Sequence, residues 1–263
     1  MKKLKFLGAS AATASLVALL FTSLGAQGRG GQPSAPAGPV PRTADGKPDL
    51  RGHWIAPPLY ASNILEEHPG GFGIQAGKSV IIDPPDGKIP YQPWALAQRD
   101  ENRKPENAYL DNEGRCVLAG VPRIMLFSFE LDYVPDRVLF ISDYVHHTRS
   151  FWLNRKEHLS PNLRTWMMDS IARWDGDTLV VDSANFVGKG WFALGGDFMT
   201  DEGHIVERFS MSDANTLNWT ATLTDPKAYT KPWTVRVNWR LGADEELIEF
   251  ICNENNLDVK HLK

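Results

Sequence analysis

Residues 138–182, VLFISDYVHHTRSFWLNRKEHLSPNLRTWMMDSIARWDGDTLVVD, carry the pattern that decides the fold. Apolar and polar residues alternate with a period of two on both sides of DGD at 175–177, a tripeptide typical of a tight hairpin turn. The pair His146 and His147 separates two further runs of the same period. The stretch predicts four strands joined by polar turns, and we expect it to form the wall and floor of a pocket.

The same alternation continues through the rest of the chain. Strands are predicted at 79–82, 124–133, 137–145, 149–153, 170–174, 178–182, 204–211, 216–224, 233–241 and 246–252. One short helix is expected at 94–104, between two prolines. No strand–helix–strand alternation occurs, which argues against a parallel α/β fold. The pattern predicts a mainly all-β, antiparallel barrel or strongly curved sheet, with the short helix and a long irregular segment before it.

Residues 1–26 have the composition of a secretory signal peptide. Three lysines precede an apolar run at 6–24, and small residues suited to cleavage end the segment. The alternative is a single membrane anchor, because the run approaches the ~20 residues that cross a bilayer. We therefore expect a periplasmic or secreted protein.

The remainder divides into a tether and one domain. Residues 27–47 begin with Gly, Pro, Ala, Ser and Gln and lack the apolar bulk for a core, so a disordered tether is expected before a single barrel domain at 48–263. Removal of residues 1–26 leaves 25 basic against 32 acidic residues, a net charge of −7. Proteins bind nucleic acid and anionic membranes through basic patches, so an acidic protein is expected to bind neither. A small-molecule ligand is the expected partner. The oligomeric state stays open.

Cys116 and Cys252 are expected to form a disulfide, because an exported protein meets an oxidising environment. The bond would tie the start of the core to its last predicted strand. A loop of that size can stabilise the fold by up to roughly 5 kcal/mol. The alternative is a pair of buried thiols.

Several segments resemble a family of uncharacterised exported bacterial proteins, abundant in acidobacteria and proteobacteria. The resemblance spans residues 41–256 and rests on PRTADGKPDLRGHW, PYQPWALAQRDENR, the Cys-x4-Val-Pro-Arg segment at 116–123, TWMMDSIARWDGDTLVVDSANF, HIVERF, DPKAYTKPWTV and EFICNENN. It implies a lipocalin-like β-barrel, a shape used by ligand carriers and by lyases, isomerases and cyclases. Relatives often read like Asp-Gly-Arg-x-His where this chain has NRKEH at 154–158, so the hairpin tip is expected to differ and the resemblance supports a role for His158 less than it supports the other motifs.

Two histidines are candidate proton-transfer groups, since imidazole titrates near neutral pH. His146 ends a predicted strand on the same face as Tyr144, and Arg149 on the next strand is placed to hold an anionic oxygen. The alternative for His146 is a solvated turn residue. His204 opens a later strand and faces away from Glu207, so the two form no local dyad.

Two carboxylates complete the candidate catalytic set. Asp169 follows two methionines and is either a base in an apolar setting or a cap of its loop. Glu207 lies among apolar neighbours, where a lone charge is costly. It is either a base with a raised pKa or the partner of Arg236 or Arg240 in a structural ion pair.

Aromatic side chains are the candidate ligand contacts, because flat rings stack on apolar, aromatic and sugar surfaces. Each can equally be core packing. Together with Arg149 and Tyr144, the residues assigned to substrate binding are Trp152, Trp166, Trp191, Tyr229 and Trp233.

No metal or other cofactor is expected from the motifs. Four histidines are available, at 146, 147, 158 and 204, but no H-x-H, H-E-x-x-H or G-x-S-x-G spacing occurs, and there is no dinucleotide fingerprint. The leading hypothesis is an exported enzyme that acts by acid/base chemistry on a small apolar or aromatic compound, as a lyase, isomerase or cyclase. A lipocalin-like carrier and a metal-dependent hydrolase using three of the histidines are the alternatives.

Overall fold

Ten strands and one α-helix make up the described part of the chain, which in the computed structural model comprises residues 38–56, 64–70 and 76–254. The elements are β1 (Gly52–Ile55), β2 (Ile81–Asp83), α1 (Pro93–Asn102), β3 (Phe129–Val134), β4 (Arg137–Ser142), β5 (Thr148–Trp152), β6 (Asp169–Asp175), β7 (Thr178–Ala184), β8 (His204–Asp213), β9 (Thr216–Thr224) and β10 (Trp233–Leu241). The predicted signal peptide and residues 27–37 of the predicted tether lie outside the described residues.

Nine of these strands close into a barrel. The order is β1-β3-β4-β5-β6-β7-β8-β9-β10, and β1 pairs with β10 to complete the circle, while β2 adds to the edge of β10. The prediction of an all-β barrel is confirmed. One pair departs from the predicted antiparallel order, because β5 and β6 run parallel. Parallel neighbours need a crossover connection, and residues 153–168 supply it.

The apolar faces of the strands point into the barrel. Alternation along β10 buries Trp233, Val235, Val237 and Trp239, and β9 does the same with a matching set that includes Trp219. The ring of Trp239 lies 4.9 Å from that of Phe129 and 5.7 Å from that of Trp219, measured between centroids. The barrel interior around these rings is a packed core.

Two strands are shorter than predicted. At one end of each, the backbone adopts a turn conformation that the period-two pattern does not reveal. The strand predicted at 124–133 is shorter, because Arg123–Leu126 forms a buried 3-10 turn and β3 begins at Phe129. The strand predicted at 137–145 ends at Ser142, since Val145 and His146 have φ of 54° and 50°. Positive φ in non-glycine residues belongs to turns rather than strands.

The ends of the domain also differ from expectation. No strand forms at 246–252 in the described chain; that segment is irregular. The predicted disulfide Cys116–Cys252 is present and ties it to the 3-10 turn Glu113–Arg115. Residues 38–47 are ordered rather than a tether, because Arg42 binds both carboxylate oxygens of Asp177, at 2.8 and 2.6 Å. None of the helices within the described residues has the length and apolar character to cross a bilayer.

Candidate functional site

An open cleft of about 650 Å³ lies beside the 3-10 turns that precede β3. This volume is within the usual range of small-molecule sites, about 300–1,000 Å³. Its apolar lining includes Pro105, Ala108, Tyr109, Tyr144 and Leu194, and its buried polar lining consists of Asp111, Glu113 and Arg123. The cleft therefore combines an apolar surface with a small group of charges.

Hydrogen bonds within the turn, and from the turn to a loop distant in sequence, set the position of these charges. The side chain of Asp111 accepts the backbone N–H of Glu113 at 3.0 Å, which shapes the turn. Asn112 joins the turn to a distant loop, because its side chain accepts the N–H of Trp191 at 2.7 Å and donates to the carbonyl of Leu118 at 2.7 Å. The carboxylates are thus carried by a turn fixed on both sides.

Arg123 lies between two carboxylates. Its Nη1 is 2.7 Å from Oδ1 of Asp111, and its Nη2 is 2.6 Å from Oε2 of Glu113. The guanidinium side chain is 1% exposed, whereas both carboxylate side chains are 10% exposed. The arginine therefore holds the carboxylates in place and offers little surface to a ligand.

Glu113 is the titratable group of the cleft. Burial raises its pKa to about 7, while the charge of Arg123 lowers it and that of Asp111 raises it. One guanidinium cannot neutralise two buried carboxylates, so the second carboxyl keeps a proton up to near neutrality. Oε1 of Glu113 has no hydrogen-bond partner among the described residues. Glu113 can therefore take up and release a proton at near-neutral pH.

Tyr144, one of the residues assigned to ligand contact, lines the cleft. Its ring stacks on Phe127, with centroids 4.4 Å apart and planes at 12°, and lies 5.0 Å from the ring of Phe250. Burial raises the pKa of Tyr144 to about 12, with the charge of Glu113 as the next cause. The hydroxyl consequently keeps its proton at neutral pH and remains a donor.

Alternation placed His146 on the same face as Tyr144, but His146 is not among the residues that line the cleft. It is exposed in the β4–β5 turn, and its Nε2 lies 2.9 Å from the carbonyl oxygen of Ile248. His147 is the buried member of the pair, and desolvation lowers its pKa. The face assignment failed because residues 143–147 form a turn, where neighbours do not alternate.

Arg149 and Glu207 meet in the barrel core rather than at a ligand site. Nη1 of Arg149 donates to Oε1 of Glu207 at 2.9 Å, and their side chains are 1% and 0% exposed. Trp219 donates its indole N–H to the same oxygen at 3.1 Å. The structural ion pair foreseen for Glu207 exists with a different partner, because Arg236 and Arg240 point outward. Arg149 is therefore not available to hold a substrate oxyanion.

Asp169 and His204 join a second polar cluster on the outside of the barrel. Oδ1 of Asp182 lies 2.7 Å from Nε2 of His204 and 3.0 Å from Nε2 of His158. Nδ1 of His158 lies 3.0 Å from Asp169, which also caps the loop by accepting the N–H of Leu159 at 2.9 Å. The hydrogen bond between His204 and Asp182 raises the pKa of the histidine and lowers that of the carboxyl.

This second cluster contains the residues best able to hold a metal ion. One ligand atom from each of His158, Asp182 and His204 lies within 4.8 Å of the other two. The three-histidine arrangement expected for the hydrolase alternative is not formed, because His146 and His147 are at the β4–β5 turn.

The predicted aromatic contacts are dispersed over the molecule. Trp152 lies outside the barrel, where the guanidinium groups of Arg137 and Arg155 are 4.3 and 3.8 Å from its ring centre. Tyr229 and Trp233 pack edge to face in the core at 5.6 Å. Trp191 is buried beside Asn112, and Trp166 is half-buried near Gly190. Alternation indicated which rings share a strand face, but not that these rings form several separate groups.

Sequence reasoning missed Asp111, Glu113, Arg123 and Asp182, and it named His158 only among the four histidines available to a metal ion. Asp111, Glu113 and Arg123 lie in a segment without period-two order, and the available signal was the Arg123 that ends the Cys-x4-Val-Pro-Arg segment. Asp182 closes a predicted strand, and His158 lies where the family pattern breaks. Their grouping depends on contacts between segments distant in the chain.

No family model, curated protein or solved structure matches this chain.

Proposed function

We propose that this protein is an exported enzyme that moves protons on a small, largely apolar or aromatic compound, with Glu113 as its acid/base group. The observation that carries the proposal is a buried carboxyl with a pKa of about 7 in the lining of a ligand-sized cleft. Acid/base catalysis is most efficient when the catalytic pKa is close to the working pH. The reaction class is a lyase, isomerase or cyclase that needs no organic cofactor.

The chemistry that suits this pair of groups is proton removal next to a carbonyl. Glu113, as carboxylate, takes the proton from carbon, and the electron pair of the broken C–H bond moves onto the carbonyl oxygen. The Tyr144 hydroxyl, which retains its proton, donates a hydrogen bond to that oxygen. Return of the proton to another carbon gives isomerisation, and departure of a neighbouring leaving group gives elimination.

The apolar lining favours a substrate with an aromatic or aliphatic body. The ring of Tyr144, the ring of Tyr109 and the side chain of Leu194 offer flat or branched apolar surface in the cleft. Tyr109 and Leu194 are 40% and 39% exposed, so this surface is available to a ligand. Asp111, Glu113 and Arg123 form one ion-paired group in the lining, where a polar end of the substrate would bind.

Export is proposed on two grounds. The first 26 residues have signal-peptide composition, and the disulfide Cys116–Cys252 is compatible with an oxidising compartment. The carrier alternative has less support, since a carrier of the lipocalin type holds its ligand inside the barrel. Here that interior contains fully buried Trp219 and Trp239 and the Arg149–Glu207 pair.

Deuterium exchange tests the proposal with a panel of compounds rather than with one chosen substrate. The protein is incubated in D₂O with small aromatic and alicyclic ketones, and incorporation at carbon is read by mass spectrometry. We expect wild type to exchange at least one compound and Glu113→Gln to lose about 10²–10⁴-fold of the rate. Glu101→Gln, an exposed glutamate on α1, is the matched control and keeps the wild-type rate. Equal rates for wild type and Glu113→Gln would refute the assignment.

A second measurement does not need a substrate. In protein labelled with ¹³C at glutamate carboxyls, one resonance should titrate at about pH 7, and Glu113→Gln should lack it. If all glutamate carboxyls titrate below about pH 5, as ordinary glutamates do, the proposal loses its acid/base group.

A further inference from the structure

We propose that His158, Asp182 and His204 form a binding site for a divalent transition-metal ion, Zn²⁺ by preference, on the outer face of the barrel. The site shares no residue with the Glu113 cleft, so it stands or falls separately from the proposed reaction. The motifs of the sequence did not predict it, because its ligands come from three separate segments.

The sheet register brings two of the ligands together. In the β7–β8 ladder, Asp182 lies opposite Val206, and His204 is two residues from Val206 on the same face. That face is the outer one, since the alternating residues Ser183, Ile205 and Glu207 are buried. Diagonal neighbours across an antiparallel pair are within reach of long side chains. The crossover between β5 and β6 then adds His158 from outside the sheet.

The two distances from Asp182 to the histidines suit one ion, and all three ligand atoms lie within 4.8 Å of one another. Zinc binds imidazole nitrogen and carboxylate oxygen at about 2.0–2.2 Å, which at tetrahedral angles separates neighbouring ligand atoms by about 3.3 Å. Oδ1 of Asp182 is 2.7 Å from one imidazole Nε2 and 3.0 Å from the other. An outward shift of a few tenths of an ångström, on the order of the difference from that spacing, would admit the ion.

Both imidazoles direct Nε2 at the same carboxylate oxygen. His158 also directs Nδ1 at Asp169, so two carboxylates contact one ring. A metal ion replaces the proton on each Nε2 and leaves Nδ1 of His158 as the donor to Asp169.

An outer shell of contacts orients His158 as metal-bound histidines usually are. The ring nitrogen that does not face the metal typically donates to a carboxylate, which fixes the tautomer and the ring plane. Asp169 fills this role, and it is held by Nη1 of Arg155 at 3.2 Å and by the N–H of Leu159 at 2.9 Å. Arg155 in turn stacks on Trp152, 3.8 Å from the ring centre. A continuous series of contacts through Asp169 and Arg155 thus connects the His158 ring to Trp152.

The site is open on its solvent side. Side-chain exposures are 22% for His158, 29% for Asp182 and 41% for His204. Three protein ligands with access to solvent leave at least one position for water, which is the arrangement of exchangeable or reactive zinc rather than of closed structural zinc. A mixed imidazole and carboxylate set also suits other first-row ions, so cobalt serves as a spectroscopic probe.

The test measures metal binding to the full chain after treatment with chelator. Isothermal titration with Zn²⁺ should show one equivalent bound, and Co²⁺ should give a visible spectrum of four- or five-coordinate nitrogen and oxygen ligation without thiolate bands. Asp169→Asn should weaken Zn²⁺ binding about 10- to 100-fold, because it removes only the orienting carboxylate. Asp182→Asn and His204→Gln remove direct ligands and should weaken binding further.

Controls separate this site from general surface binding. His146→Gln removes an exposed histidine in the β4–β5 turn and should bind Zn²⁺ as wild type does. Circular dichroism establishes that each variant is folded, and if Asp182→Asn is not, His204→Gln decides the question. Absence of one-equivalent binding in wild type would overturn the proposal. Wild-type affinity in folded His204→Gln would overturn it too.

Discussion

The guanidinium of Arg149 on β5 and the carboxylate of Glu207 on β8 form an ion pair inside the barrel, although two strands separate β5 from β8 in the wall. Ser170 and Ser183, on the two intervening strands, accept hydrogen bonds from the same guanidinium at 3.4 and 3.1 Å. The pair therefore crosses the interior and contacts all four strands, with no ligand surface of its own.

Removal of one partner should destabilise the fold strongly. We expect Glu207→Gln to lower the free energy of unfolding by about 3–5 kcal/mol, because Arg149 then remains as an unpaired buried charge. Urea denaturation followed by tryptophan fluorescence measures the loss.

The double variant Arg149→Met/Glu207→Leu is the control for this prediction. It removes both charges and should lie closer to wild type than Glu207→Gln does, because replacement of a buried pair by apolar residues is often near neutral. If both variants lose the same free energy, packing volume rather than charge explains the effect.

Glu113 should make stability depend on pH. Its pKa rises from 4.5 in the unfolded chain to about 7 in the folded one, which corresponds to about 3 kcal/mol. The stability contributed by this group is complete below pH 4.5 and is lost as the pH rises through 7. Relative to wild type, Glu113→Gln should gain about 3 kcal/mol between pH 4.5 and about pH 8, measured by denaturant unfolding across that range.

The control for the pH series is Glu101→Gln. Its exposed carboxyl has a pKa lowered by the hydrogen bond with Lys104, so its contribution to the pH dependence lies below pH 4.5. The difference between this variant and wild type should be flat above that pH. An equally flat difference for Glu113→Gln would show that the carboxyl titrates normally.

The turn that carries Glu113 should be sensitive to Gly190. This glycine has φ of +80°, and a Cβ there would lie 2.7 Å from the Trp166 ring and 2.8 Å from Oδ1 of Asn112. Gly190→Ala should cost about 1–3 kcal/mol of stability and displace Asn112, so proton exchange at the cleft should fall as well. Thermal unfolding and the deuterium assay measure the two effects.

Gly176 provides the matched comparison for Gly190. It has φ of +59°, and a Cβ there would meet nothing within 4 Å. Gly176→Ala should therefore show only the backbone cost, of about 1 kcal/mol, and leave exchange unchanged. Equal losses for both variants would contradict a steric role of the Gly190 position.

The disulfide should hold the last described segment against the cleft. Residues 246–254 are attached through Cys252, through the ring of Phe250 on Tyr144 and through the carbonyl of Ile248 near His146. The double variant Cys116→Ser/Cys252→Ser should lose about 2–5 kcal/mol of stability and become open to proteolysis in this segment. If the variant is protected from proteolysis as well as wild type, the Phe250–Tyr144 and Ile248–His146 contacts hold the segment without the disulfide.

The sequence predicted strands well where packing alone decides them. β9 and β10 have the predicted limits, Thr216–Thr224 and Trp233–Leu241, because alternation matches a face buried in the barrel. His146 was misplaced because a turn with positive φ replaces the last part of its strand. Glu113 was missed, and His158 was not linked to Asp182, for another reason. Their neighbours, Arg123 and Asp182, come from other segments, and no local pattern reports such a meeting.

The parallel pair β5–β6 is a weakly hydrogen-bonded junction in the wall of the barrel, which we call the seam. Only two residue pairs join β5 to β6, Phe151 with Ser170 and Trp152 with Ile171, whereas seven join β6 to β7. Each side of the seam is a run of antiparallel neighbours in chain order, β3 to β5 and β6 to β10, which can form from contacts close in sequence. Arg149 and Ser170 meet across the seam from inside, so a side-chain network joins the two runs where the backbone ladder has only two residue pairs.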